Sequence, residues 1–236
     1  MKMFFNKNKE TSPNERRNNT IEKLKKLGID FNPNLPFVES REQIKVKDLK
    51  IVKKRALACM LSIQLACSIR NGEDYKQSVD FVLKYMKNWE LSMDDLLPKE
   101  RLLIENNKTK ENCPNELTMQ DVTDVVWTYE SYWSIIWALD LITDKELRDA
   151  SKLCNTERAM AISPFIAQSE GHLRETDKIL DMLDLFYCYH WACEDKRINP
   201  DTRIGELNPE VVWERRRGLE WLICDEKDWF DISLDT

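Results

Sequence analysis

The chain has 236 residues, and its formal charge of −6 comes from interspersed acidic and basic side chains, which disfavours a nucleic-acid binder driven by phosphate contacts. No run reaches the roughly 18 apolar residues of a transmembrane helix, so no membrane role is expected. Only five glycines occur, against the roughly 7% usual in globular chains, and the absence of GxGxxG and GxxxxGK[ST] excludes two large classes of nucleotide enzymes.

Residues 1–13 are polar, lack a signal-peptide h-region and read as a frayed end, with 14–236 expected as one helical domain. Ser12 or Asn14 can cap a helix that runs to Gly28, and its narrow stripe of Ile21, Leu24 and Leu27 predicts a surface helix. Pro33 and Pro36 mark an extended segment pinned by Ile29, Phe31, Leu35 and Phe37. A long helix follows from about Val46 to Arg70, stopped by Asn71-Gly72, with Ala56, Ala58 and Ala66 permitting close packing. Asp74 to Trp89 reads as a third helix, Ser92 as the cap of a short turn, Pro98 as the opening of a short helix and 106–117 as a loop.

Residues 118–141 form the longest strongly periodic stretch. Val122, Val126, Tyr129, Trp133, Ile136 and Trp137 recur at helical spacing. Such a broad apolar face predicts a central helix touching both the 46–70 and 173–194 helices. Beyond it come a short helical piece from Thr143-Asp144, a weakly patterned 151–170 interrupted by Pro164, a helix over 173–194 and a last helix opened by Asn208-Pro209. The tail carries Trp229, Phe230, Ile232 and Leu234 and is expected to dock. With no alternating strand, the fold class is all-α: a single-domain irregular bundle of about seven to nine helices around 118–141. Seven cysteines at irregular spacing without CxxC point to a reduced, cytoplasmic protein. The basic runs Lys45–Arg55 and Arg215–Arg217 read as solvated helix faces.

Glu130 and Asp140 fall on the apolar face of the central stretch, and a buried carboxylate needs a partner. His190 sits mid-face on its helix with Glu194 one turn on, and Arg215 lies among Val211, Gly218, Leu219 and Leu222. Arg55 or Arg70 points inward from a fourth helix. Glu130 is expected to pair with Arg55 first or Arg215 second, and Glu194 with the other arginine or with His190. One reading is a structural salt-bridge network; the other is a site with His190 as acid or base. Two ligands at i, i+4 do not make a closed zinc site, so no metal and no cofactor are expected. The thiols of Cys188 and Cys193 read as packed and inert. Trp191, Trp221 and Trp229, with Arg55, are the binding candidates.

KKRALACM (53–60), WTYESYWSIIWALDL (127–141), DLFYCYHWACEDKRIN (184–199) and the C-terminal VVWERRRGLEWLICDEKDWFDISLDT (211–236) together resemble the DUF4272 family of uncharacterised, mostly bacterial proteins. Glu130, His190, Trp191, Arg215, Trp221, Trp229, Asp231 and Asp235 match its pattern, while Cys188 stands where the family is expected to carry an arginine. The resemblance implies a soluble helical domain that includes the tail, and no established activity. On function, the sequence favours a non-enzymatic binding protein, regulatory or immunity-like, with a basic protein as the partner class. The alternative is a hydrolase-like enzyme with a helical cleft built on Glu130, His190, Glu194 and Arg215.

Overall fold

A computed structural model describes residues 11–105 and 117–236. Residues 1–10 of the expected frayed end and all of the expected 106–117 loop except Leu117 lie outside them. Among the described residues there are nine α-helices, two short 3-10 turns and no strand. The helices are α1 (Pro13–Leu27), α2 (Leu49–Asn71), α3 (Tyr75–Asn88), α4 (Pro98–Glu105), α5 (Met119–Ala138), α6 (Asp144–Arg148), α7 (Thr156–Gln168), α8 (Thr176–Ile198) and α9 (Pro209–Trp221).

Local chemistry accounts for most of the boundaries. Ser12 accepts the Glu15 N–H with Pro13 at the first helical position, and Asn208 accepts from Glu210 and Val211 ahead of Pro209. Thr118 with Asp121 and Thr143 with Glu146 form capping boxes that open α5 and α6. Gly72 stops α2 in the left-handed conformation, at φ 72°, that a C-terminal cap requires.

The helix α5 is the centre of the molecule, held between α2 and α9. Contrary to expectation, α8 is not one of its main neighbours; α8 packs on α9 and carries α1 on its far side. Gly218 explains why α9 takes that place. A Cβ there would lie 2.5 Å from the Ser131 carbonyl oxygen and 2.9 Å from the Ser134 Cβ. The serines complete the seam: Ser131 Oγ donates to the Glu214 carbonyl at 2.9 Å and Ser134 Oγ to the Arg215 carbonyl at 2.8 Å.

Several sequence expectations are corrected. The stretch 118–141 is helical only to Ala138; Asp140 adopts φ 60° in a terminal turn where Leu141 N–H returns to the Ile136 carbonyl. Asp140 therefore leaves the apolar face and pairs with Arg174 at 2.7 Å and His172 at 3.2 Å. The helix α7 runs through Pro164, because Ala159, Ser163 and Ile166 are buried and the Tyr132 hydroxyl holds the Ala159 carbonyl. Phe37 does not pin the extended segment: it is half exposed, and Val38 is buried in its place. The helix α1 is fastened less by its apolar stripe than by charge. Leu27 is exposed, while Arg16 and Arg17 are buried against Asp181 and Asp184 of α8 at 2.9 and 2.8 Å.

Candidate functional site

Glu130 lies at the α5–α9 seam and is 2% exposed. Its Oε2 accepts from Arg215 Nε at 2.8 Å and its Oε1 from the Cys154 backbone N–H at 2.7 Å. The remaining Arg215 donors reach the carbonyls of Leu147, Asp149 and Lys152. Every charged atom is thus answered, as a buried pair requires. The partner is the second choice, Arg215; the first choice, Arg55, is engaged elsewhere.

Arg55 grips Glu100 instead, through Nη2 at 2.5 and 2.6 Å to the two carboxylate oxygens, while Glu100 also accepts the Leu97 N–H. The Arg55 guanidinium lies 4.8 Å from the Trp229 ring centroid, and its Nε is buried without a partner. Arg70, the other inward candidate, is exposed near the end of α2. Glu100 escaped the sequence reading because an acid after Pro98 looks like an ordinary first-turn residue of a short helix.

His190 belongs to a third cluster. Its Nδ1 lies 2.5 Å from Arg216 Nη1. A guanidinium can only donate, so Nδ1 is the acceptor and the proton sits on Nε2. That Nε2 is buried without a hydrogen-bond partner, 3.8 Å from Glu194 Oε1. Burial, then the Arg216 charge, push His190 down to about 4, so the ring is neutral near pH 7. Glu194 is one-third exposed and pairs with Arg197 at 2.8 Å. Arg216 also holds Glu220 and the carbonyls of Leu234 and Asp235.

The run Arg215–Arg217 is therefore no solvated face. Each arginine turns to a different acid or ring, and Arg217 closes on Glu214 at 2.9 Å. The catalytic candidates do not converge either: Glu130 with Arg215 and His190 with Arg216 share no partner. Cys188 and Cys193 are buried, and burial raises both thiols to about 12, which makes them poor nucleophiles. Among the described residues, no three His, Cys, Asp or Glu side chains are grouped to hold a metal ion.

Three of the four binding candidates do come together. A cleft of about 790 Å³ opens between the start of α2, the 3-10 turn Met93–Asp95 with α4, and the segment after α9. Arg55 and Trp221 line it, with Trp229 stacked edge-on to Trp221 at 6.2 Å. Trp191 is half-buried on α8 and takes no part. In the lining, Lys54 pairs with Asp95 and Arg101 with Asp94, and the Lys47 ammonium lies over the Trp221 ring and donates to the Cys224 carbonyl. Asp48, Asp225, Glu226, Asp228 and Asp231 have no ion-pair partner among the described residues. Burial, with the Asp231 charge, holds the Asp228 carboxyl above its ordinary range, opposed by the Phe230 N–H that it accepts and by the charges of Arg55 and Lys99.

The family described as "Domain of unknown function (DUF4272)" matches residues 16–232, nearly the whole chain. The chain belongs to the DUF4272 family. Both walls of the cleft, the α5–α9 seam and the 3-10 turn Trp229–Asp231 are inside the matched region of this DUF4272 protein. Comparisons with curated proteins and with solved structures give no match. No helix among the described residues is long and apolar enough to cross a membrane.

Proposed function

We propose that this DUF4272 protein is a non-enzymatic binding protein, regulatory or immunity-like, whose cleft takes a basic segment of a protein partner. The observation that carries the reading is the excess of carboxylates without an ion pair, Asp48, Asp225, Glu226, Asp228 and Asp231, over the ammonium groups of Lys45, Lys47 and Lys227, which also make no ion pair among the described residues. A lysine or arginine entering there gains a charge-assisted hydrogen bond to a carboxylate. Asp228 is partly buried and makes no ion pair among the described residues, although the charges of Arg55 and Lys99 act on its carboxyl. The polar groups of the interior support the same reading, since Glu130, Arg215 and Arg216 are committed to contacts that hold helices together.

The test is fluorescence anisotropy with a labelled Lys/Arg-rich peptide and its Glu/Asp-rich counterpart. The basic peptide is expected to bind, to weaken as salt rises, and to lose about tenfold or more in Asp228→Asn/Asp231→Asn. Equal binding of the acidic peptide, or no change in the double variant, overturns the proposal. The hydrolase-like alternative on Glu130, His190, Glu194 and Arg215 has one observation in its favour, the unpartnered His190 Nε2 facing Glu194. Turnover of a simple aryl ester that disappears in His190→Asn would establish that reading in place of the first.

A further inference from the structure

A second pocket, separate from the cleft and from the proposal made for it, opens over Glu130. It has a volume of about 370 Å³, within the range of small-molecule sites. Trp127 and Tyr129 of α5 are half-buried in its lining with Val126, and Leu153 stands at it 56% exposed. These side chains form an apolar wall, half of it aromatic, open to solvent on the side of Leu153.

The charges in the lining do not cancel. Glu130 is neutralised by Arg215, with both of its oxygens occupied. That leaves Arg70, exposed in the last turn of α2, with no carboxylate in ion-pair distance among the described residues. Thr156, the first residue of α7, also lines the pocket, so the positive end of that helix adds to the field. Burial raises the Tyr129 phenol to about 12, which keeps it a neutral hydrogen-bond donor.

We infer that this pocket binds a small aromatic acid, its ring between Trp127, Tyr129 and Leu153 and its carboxylate on the Arg70 guanidinium. The ring supplies apolar burial, and the planar guanidinium meets a carboxylate through two parallel N–H donors. A cationic ligand would meet Arg70 at the mouth and an already paired carboxylate at the floor.

The experiment uses indole-3-acetate, neutral indole-3-acetamide and cationic tryptamine as probes on the full chain. Isothermal titration is combined with protein-observed NMR of the Trp127 indole. Indole-3-acetate is expected to bind about tenfold or more tightly than the amide, with no saturable binding of tryptamine. Arg70→Gln should abolish the preference for the acid, and Arg70→Lys should restore part of it. Because Arg70 is exposed, the fold should survive both changes. Leu153→Asp, also at an exposed position, removes part of the apolar wall and adds a negative charge, so it should weaken the amide and weaken the acid more. Equal affinity for acid and amide, an unchanged acid affinity in Arg70→Gln, shifts that bypass Trp127, or no saturable binding up to about 10 mM would each overturn the inference.

Discussion

Glu130 has two donors aimed at it, Arg215 Nε–H and the Cys154 N–H, one for each oxygen. A glutamine offers one acceptor and must turn an NH₂ toward the other donor. Glu130→Gln is therefore expected to cost about 3–5 kcal/mol, because it leaves a guanidinium buried without its counter-ion. Chemical denaturation of the variant and the parent measures the difference; a loss under about 1 kcal/mol would show that the pair does not hold the seam. His190 makes the complementary prediction with pH. Its folded value, about 4, lies below the ordinary 6.5, so the unfolded chain binds the proton first. Stability should fall as pH drops from about 6.5 toward 4, by about 3 kcal/mol in all, and change no further on this account below that. Burial raises Glu214 and Glu220, which works in the opposite sense above their unfolded values. The check is thus the difference between parent and His190→Phe across the window, where the variant should lack the histidine slope.

Among the elements, the α5–α9 seam sets the strictest condition. Replacing glycine by alanine inside a helix ordinarily gains about 1 kcal/mol in propensity. At Gly218 the new methyl would meet the Ser131 carbonyl at 2.5 Å, and that atom is backbone. Relief requires the two helices to part, which also stretches the Ser131 and Ser134 hydroxyl contacts. Overpacking of this kind costs about 1–3 kcal/mol, so Gly218→Ala should be destabilising despite its propensity. A melting temperature equal to or above that of the parent would show that the helices can separate freely. The same seam explains why α8 lies outside α9: the closest approach to α5 is already taken.

For the molecule as a whole, the C-terminal segment closes two structures at once. Trp229 is fully buried against Trp221 and Arg55, and the carbonyls of Leu234 and Asp235 satisfy Arg216. Removing everything after Asp225 would empty a tryptophan site, a loss of about 3–5 kcal/mol in itself, and strand the Arg216 donors. The truncated chain is expected to melt well below the full one. An unchanged melting curve would mean that the tail rests on the body without stabilising it. The periodicity of 118–141, the helix starts at Ser12, Thr143-Asp144 and Asn208-Pro209 and the absence of alternation are enough to settle the helical class and most helix ends, because those signals act within one or two turns of chain. They also placed Glu130, His190, Arg215 and Trp229 indoors. Which acid met which arginine was decided only by tertiary structure. Arg55 with Glu100, Arg17 with Asp184 and Arg216 with His190 join residues 26 to 167 positions apart. Such pairs depend on which helices become neighbours, and the missing Cβ at Gly218 that lets α9 touch α5 carries no periodic signal of its own.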